Sequence, residues 1–329
     1  MRQFVAILID ALRLLRAKAL FWITLGISAV AALLYLSIGF DENGITYLFG
    51  AGSLENDLIR KGSPLAEMFY LGIFSTVIVG VWLSWVAVIL ALITCSPIFP
   101  EFMAEGSAGS VLCKPISRLR LFFFKYLSGL LFAVLQTAVF SLIVFIAIRW
   151  RVGTWNPSVF WAVPLIVLMF SYLWSVMVAV GIRTRSVMAS VLAALVVWFG
   201  AWIAKSVEEF GWMASEMGEV PTAQGNMPMT AEEQQQWQDR YPALSAGYKL
   251  LPKTSDTVAL LNRYITIEGS RDFSMSQLMN AMTTGEAQRD QELDRTLTRH
   301  SAAFIIWSSL GFEAVLVAFA AWSFCRRDF

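Results

Sequence analysis

The sequence predicts an all-α membrane protein with about six transmembrane helices, an N-terminal interfacial helix and a large extracytoplasmic helical insert between the fifth and sixth spans. Hydrophobic residues make up 57% of the 329 residues, and the mean hydropathy is +0.62. Soluble domains typically contain about 45–50% apolar residues. Apolar runs of about 20 residues recur along the chain, and each is long enough to cross a hydrocarbon layer of about 30 Å. These observations exclude a soluble core as the basis of the fold.

Residues 1–18 predict an amphipathic helix that lies in the plane of the membrane interface. Apolar residues recur at helical spacing from Phe4 to Leu15, whereas the charged residues fall mostly elsewhere around the helix. No short apolar core with a small-residue cleavage site occurs here, so we expect the first span to act as its own insertion signal. The predicted spans cover residues 20–40, 68–98, 121–148, 159–180, 187–204 and 302–324.

Lysine and arginine in the short connections predict the orientation of the spans, because positive residues near span ends tend to stay in the cytoplasm. With the N-terminus inside, the cytoplasmic connections carry about three times as many of these residues as the short outer connections. The outer set contains only Arg60, Lys61, Arg149 and Arg151. Both termini are therefore expected in the cytoplasm, with residues 300–329 forming the sixth span and the C-terminus.

The cysteines and the single histidine give no sign of a cofactor. Cys95, Cys113 and Cys325 are all expected at or near the cytoplasmic face, where thiols stay reduced, so nothing requires a disulfide. Without a CxxC pair, and with His300 alone, the sequence has no zinc or haem signature. A formal net charge of +1 gives no reason to expect nucleic acid as a partner. We therefore expect no metal and no cofactor.

Residues 205–299 break the apolar pattern with clusters of Glu, Asp and Gln, and we expect them to form an extracytoplasmic domain. Helices are predicted near residues 230–240, 255–264 and 274–298, separated by the chain breaks that proline and glycine favour. The breaks are expected at Pro221, Pro228, Pro242, Pro252 and Gly269.

The connection between the second and third predicted spans carries the most informative motif of the chain. Residues 99–118 read FPEFMAEGSAGSVLCKPISR. A short helix that ends at Gly106, followed by a rigid turn at Pro115, would present acidic and apolar side chains as a compact knob below the membrane. The connection resembles the signature of ABC-2 type permeases in Glu105, Gly106, Lys114, Pro115, Ile116, Ser117, Arg118 and Lys125. The C-terminal segment is also similar to the usual C-terminus of that family, in the residues Phe324, Arg326, Arg327, Asp328 and Phe329.

In that family the equivalent element is a coupling helix, which docks in a groove of the ATPase and converts its closure into movement of the spans. The resemblance implies a cytoplasmic coupling loop over residues 99–125, with a docking piece at 99–110 and an attachment to the headgroups at 114–118. The implied coupling residues are Glu101, Glu105, Gly106, Lys114, Pro115 and Arg118. The alternative is a positively charged cytoplasmic loop that obeys the topology rule and has no further role.

The chain contains no G-x-x-x-x-G-K-[ST] motif and so lacks the loop that binds ATP phosphates. The chain itself is therefore not expected to be an enzyme, and a separate ATPase subunit is expected. The resemblance also implies a second copy of the permease, or a related permease, as a partner. The chain is expected in the cell membrane, which in a bacterium is the inner membrane. The 205–299 insert is longer than the family's short helical one, so its role is not carried over.

Two polar residues stand out inside the predicted spans. Glu313 lies near the middle of the sixth span, where an unpaired charge costs at least a few kcal/mol. We expect it to face the bundle interior, either paired with a polar group of a neighbouring span or protonated, or else in contact with substrate. Gln136 in the third span can join helices by hydrogen bonds.

The leading functional hypothesis is ATP-driven export, or extraction, of a hydrophobic or amphipathic cargo, with the direction taken from the resemblance. The alternative is a non-transporting scaffold or mechanotransmission subunit that couples an ATPase to an extracytoplasmic partner. Membrane lipids are also expected as partners. An intramembrane enzyme would need clustered polar catalytic groups at one depth, and the predicted spans contain no such cluster.

Overall fold

The computed structural model describes residues 19–42, 44–55, 59, 64–103, 117–222, 225–264 and 299–326. Within these ranges five helices are long and apolar enough to cross a membrane, which agrees with the predicted helical membrane protein. They are Phe69–Phe102, Arg118–Arg151, Pro157–Thr184, Val187–Glu216 and Ala302–Cys325. The first predicted span contains a shorter apolar helical stretch, Phe21–Ser37. The predicted interfacial helix at residues 1–18 lies outside the described residues.

The elements follow one another in three groups. The first group is helix α1 Ala19–Ser37, strands β1 Gly39–Asp41 and β2 Gly44–Tyr47, the 3-10 turn Leu48–Gly50 and strand β3 Gly52–Glu55. The second is α2 Pro64–Ile73, a π-helical segment Phe74–Ala87, α3 Val88–Cys95, α4 Ile98–Phe102, α5 Arg118–Arg151, the 3-10 turn Pro157–Trp161, α6 Ala162–Thr184 and α7 Val187–Trp212. The third is a π-helical turn Met213–Met217, strands β4 Glu219–Thr222 and β5 Gly225–Pro228, and helices α8 Ala231–Leu250, α9 Thr254–Ala259, α10 Leu261–Tyr264 and α11 Ala302–Cys325.

The apolar helices run between two ends of one bundle, and successive helices point in opposite directions. At one end the Nε of Arg151, the last residue of α5, donates to the carbonyl of Leu36 near the end of α1, at 2.8 Å. We call this end the insert face. At the other end the ring of Phe99 in α4 lies 6.3 Å from that of Phe324 near the end of α11. We call this end the loop face.

Serine side chains cap the N-termini of three of the long helices. Ser117 accepts from the backbone N–H of Arg120 at the start of α5, and Ser186 and Ser301 do the same for the third residue of α7 and of α11. Each serine satisfies an amide that the first helical turn leaves without a partner. Arg185, with φ of 55°, ends α6 in the left-handed conformation and allows α7 to start two residues later.

Two small sheets depart from the predicted all-α architecture. Strands β1, β2 and β3 form an antiparallel sheet between α1 and α2, and β4 pairs with β5 in the insert. The sequence predicted a helical insert. The β4–β5 pair shows that the insert also contains strands. Pro221 and Pro228 lie in β4 and β5, which proline can occupy because both strands of a two-stranded sheet are edge strands.

The predicted chain break at Pro242 is wrong, because helix α8 continues through this residue to Leu250. Proline removes one hydrogen bond from a helix interior and normally interrupts it. Here Tyr241 and Tyr248, on either side of the proline, both donate side-chain hydrogen bonds to carboxylates outside α8. Contacts beyond the helix thus anchor the segments on both sides of the proline.

Close packing of α5 against α6 depends on a glycine. A Cβ added at Gly129 would lie 2.6 Å from an indole carbon of Trp174. The Trp174 side chain is almost completely buried, and its Nε1 donates to the carbonyl of Tyr126 at 3.1 Å. Within a membrane, helices associate through such van der Waals packing and interhelical hydrogen bonds, because lipid tails are as apolar as the helix surfaces.

Candidate functional site

The loop face contains an aromatic cluster formed by Phe99, Phe102, Phe122, Trp174 and Phe324. Phe99 lies at its centre, with ring centroids 5.5 Å from Phe122, 6.2 Å from Trp174 and 6.3 Å from Phe324. Phe102 stacks on Phe324 at 6.2 Å. Since these partners belong to α5, α6 and α11, the short helix α4 is packed against three apolar helices at once.

This packing changes the expected role of the apolar residues in the motif. Phe99, Pro100 and Phe102 are buried, whereas Glu101 in the same helix is exposed. The apolar side chains at the start of the predicted docking piece thus face the bundle, not a surface below it. Glu101 is the part of α4 that faces outward.

Arg118 is also on the loop face, at the first residue of α5. Its Nη1 donates to the carbonyl of Cys325, at the end of α11, with a distance of 3.2 Å. The Lys125 ammonium lies 4.4 Å from the centroid of the Phe102 ring. The structure therefore brings α4, the start of α5 and the end of α11 together. The other predicted coupling residues, Glu105, Gly106, Lys114 and Pro115, lie outside the described residues.

Inside the bundle, Glu313 of α11 accepts hydrogen bonds on both carboxylate oxygens. The Tyr126 hydroxyl of α5 donates to Oε1 at 2.7 Å, and the Ser171 hydroxyl of α6 donates to Oε2 at 2.8 Å. An intramembrane carboxyl is expected to find such partners on neighbouring helices. The Glu313 side chain thereby joins α11 to both α5 and α6.

Buried polar side chains join helix α1 to the bundle. Gln136 of α5 donates to the Ser28 hydroxyl at 3.5 Å, and the Thr24 and Thr94 hydroxyls lie 3.2 Å apart. All four side chains are buried. Gln136 thus contacts a neighbouring helix.

The insert face carries a charged cluster that the sequence did not reveal. Glu208 of α7, with 3% of its side chain exposed, forms an ion pair with Arg299, which is 14% exposed. Nη1 of Arg299 donates to Oε2 of Glu208 at 3.1 Å and Nη2 contacts Oε1. The Tyr241 hydroxyl of α8 donates to the same Oε1 at 2.9 Å. The Arg299 guanidinium also lies 4.8 Å from the Trp212 ring.

Further ionic contacts connect α9 to α7 and α8. Lys205 lies 3.0 Å from Asp256 and 3.4 Å from Glu209, and the Tyr248 hydroxyl donates to Asp256. Burial, followed by the charge of Asp256, raises the pKa of Tyr248, so this hydroxyl stays protonated as a donor. The charged cluster therefore fixes α8 and α9 of the insert to the end of α7.

Lys253 lies beside this cluster with its side chain enclosed. Its Nζ donates to the carbonyls of Lys249 and Leu251 at 2.7 and 2.8 Å, at the end of α8. The rings of Tyr248 and Phe304 flank the ammonium at 5.1 and 5.4 Å. Burial lowers the pKa of Lys253 from 10.5 to about 8.

One signal in the sequence could have indicated part of this cluster. Lys205, Glu208 and Glu209 continue the helical spacing of the fifth predicted span beyond residue 204, and α7 does continue to Trp212. Arg299 is 91 positions from Glu208, so no local pattern could have paired them.

None of the described residues form a group of three or more histidine, cysteine or acidic side chains suited to a metal ion. Cys95 and Cys325 are free thiols at the loop-face end of the bundle. Comparison with family models, curated proteins and solved structures gives no match to this chain.

Proposed function

We propose that this chain is the permease subunit of an ABC-2 type exporter, with six spans, two permease subunits and a separate ATPase. In this proposal the loop face is cytoplasmic, the insert face is extracytoplasmic, and the cargo is hydrophobic or amphipathic. The observation that carries the proposal is the packing of α4 in the aromatic cluster. The segment that resembles a coupling helix begins in an element that contacts three apolar helices.

The contacts of α4 suggest how an ATPase would move the spans. Glu101 faces outward from α4, while Phe99 and Phe102 face inward against α5, α6 and α11. A displacement of α4 by a docked subunit would press on all three helices, because close-packed side chains transmit displacement with little compression. Arg118 would carry part of the same displacement to the end of α11 through the Cys325 carbonyl.

The test is an affinity purification of the tagged full chain from detergent-solubilised native membranes, followed by mass spectrometry of the proteins that copurify. We expect an ATP-binding subunit with the unchanged chain and a several-fold lower recovery with Glu101→Lys or Glu105→Lys. Arg185→Gln, an exposed change on the same face and outside the motif, is the matched control and should leave recovery unchanged. Absence of any ATPase from all samples would contradict the proposal.

The ionic contacts of the insert favour a second function, that of a mechanotransmission subunit. Helix α11 has 24 residues, about 36 Å, and Arg299 just before it binds Glu208. Movement at the loop face can therefore reach the insert through one rigid helix. Reconstitution with the ATPase separates the two functions. Export predicts ATP-dependent cargo movement across the vesicle, whereas mechanotransmission predicts ATP-dependent change in insert accessibility with no cargo movement.

A further inference from the structure

The turn between β2 and β3 exposes apolar side chains. Tyr47, Leu48 and Phe49 are 43%, 56% and 60% exposed. Leu48 and Phe49 also adopt positive φ angles of 51° and 59°, which is uncommon for bulky residues. We call residues 47–52 the hairpin tip. Contiguous exposed apolar residues of this kind mark surfaces that contact a partner or a membrane.

The strand register sets the level of the hairpin tip relative to the helices. Strand β1 leaves the end of α1 after Ser37, and Gly39 in β1 pairs with Thr46 in β2. Because the strands are antiparallel, the chain returns beside Gly39 and reaches the tip one residue later. The hairpin tip therefore lies level with the end of α1.

Contacts with α5 give the same level independently. The guanidinium carbon of Arg151 lies 5.5 Å from the centroid of the Phe49 ring and 5.4 Å from that of Trp150. Arg151 also approaches Gly39 closely, since a Cβ there would lie 2.9 Å from its Nη1. The hairpin tip is thus held beside the final turn of an apolar helix.

The opposite end of the sheet is acidic. Asp41, Glu42 and Glu55 are all exposed there, and Gly44 pairs with both Asp41 and Glu55. Three residue steps along β2 separate this end from Tyr47, a distance of about 10 Å. The sheet is therefore amphipathic along its strands, with its apolar end toward the helix bundle and its acidic end away from it.

Other exposed side chains at this level match a membrane interface. Trp150 and Trp155 are 67% and 54% exposed, and Arg149 lies over the Trp155 ring at 5.2 Å. Tryptophan and tyrosine are enriched where hydrocarbon meets headgroups, and arginine side chains are attracted to anionic lipid phosphates. We propose that the hairpin tip inserts into the lipid leaflet at the insert face and attaches the β1–β3 sheet to it.

The test uses the full chain in lipid nanodiscs with a nitroxide label on the hairpin tip. The native cysteines are first replaced by Cys95→Ala, Cys113→Ala and Cys325→Ala, and the label is then attached to Phe49→Cys. Glu55→Cys, at the acidic end of the same sheet, is the matched control. Electron paramagnetic resonance measures collisions with oxygen, which partitions into lipid, and with a water-soluble nickel chelate.

We expect oxygen collisions to dominate at position 49 and nickel collisions to dominate at position 55. Equal nickel access at the two positions would place the hairpin tip in water and overturn the proposal. Protection of position 49 from both reagents would indicate a protein partner and overturn it as well. Labels at Leu48→Cys and Tyr47→Cys repeat the measurement, so that one poorly folded variant does not decide the outcome.

The contribution of arginine is tested by lipid composition. Nanodiscs of phosphatidylcholine are compared with nanodiscs that also contain phosphatidylglycerol. We expect a higher ratio of oxygen to nickel collisions at position 49 when the anionic lipid is present. An unchanged ratio would contradict an electrostatic attraction of Arg149 and Arg151 to the net negative charge of the lipid.

Discussion

The buried ion pair between Glu208 and Arg299 allows a quantitative prediction about the attachment of the insert. Arg299→Met keeps a long side chain but removes both of the donors that Glu208 receives from the guanidinium. The carboxylate, only 3% exposed, would retain the Tyr241 hydroxyl. Removing one partner of a buried pair typically costs about 3–5 kcal/mol, because the remaining charge is left buried without compensation. We expect a loss of this size in the stability of the insert.

The double variant distinguishes a buried pair from a general packing effect. Glu208→Leu combined with Arg299→Met removes both charges, and apolar replacements of buried pairs are often neutral or stabilising. We therefore expect the double variant to be more stable than Arg299→Met alone. The coupling energy should be about 1–3 kcal/mol, in the range found for residues in direct contact.

Hydrogen exchange followed by mass spectrometry measures this effect locally, in the full chain and in nanodiscs. A loss of about 3–5 kcal/mol corresponds to exchange roughly 100-fold to several thousand-fold faster in peptides from α8, with α5 peptides unchanged. Glu209→Gln is the control, because Glu209 is 46% exposed and pairs with Lys205; exposed helix pairs contribute only about 0.3–0.5 kcal/mol. Unchanged exchange in Arg299→Met, or strict additivity in the double variant, would refute the reasoning.

Three further predictions concern stability. The folded-state pKa of Lys253 is lowered from 10.5 to about 8, so between these pH values the unfolded chain binds more protons than the folded chain. The free energy of unfolding should therefore rise from about pH 8 to 10, by up to roughly 3 kcal/mol. Thermal unfolding of Lys253→Met should show a smaller rise with pH, and an identical rise would contradict the assignment. Gly129→Ala should lower the free energy of unfolding by about 1–3 kcal/mol, because the added methyl group overpacks against Trp174. Gly200→Ala, with open space around its Cβ, should leave stability unchanged, and equal melting temperatures of the two variants would argue against the close approach at Gly129. Glu313→Ala should destabilise more than Glu313→Gln, by about 1 kcal/mol or more, since alanine removes the acceptor of the Tyr126 hydroxyl, whereas the Ser171 hydroxyl keeps the Leu168 carbonyl. The reverse order in thermal unfolding would contradict the hydrogen-bonding scheme.

The sequence predicted the apolar helices well, because the membrane imposes a minimum length and hydropathy on each span. The predicted span at residues 121–148 corresponds to α5 Arg118–Arg151, and the span at 302–324 corresponds to α11 Ala302–Cys325. Helix α5 begins three residues before its predicted apolar run, because its first turn finds a side-chain cap. Residues 117 and 301 supply such caps through their serine hydroxyls.

The contacts between distant segments could not be predicted from one sequence. The position of Glu313 indicated a polar partner on another span, but nothing identified Tyr126 and Ser171, which are 187 and 142 positions away. The β1–β3 sheet was missed for a different reason. Its strands have only three or four residues, too few for an alternating pattern to stand out.

The partners of Glu313 have a consequence for the biosynthesis of the chain. Helix α11 has the lowest mean hydropathy of the five membrane-length helices, 1.9 against 2.2 to 2.6, and an acidic residue at a span centre opposes insertion by about 3 kcal/mol. Tyr126 and Ser171 precede Glu313 in the sequence, so α5 and α6 have been synthesised before α11 leaves the ribosome. The hydroxyl groups that solvate this carboxyl can therefore already be in the bilayer, and integration of α11 should depend on the helices made before it.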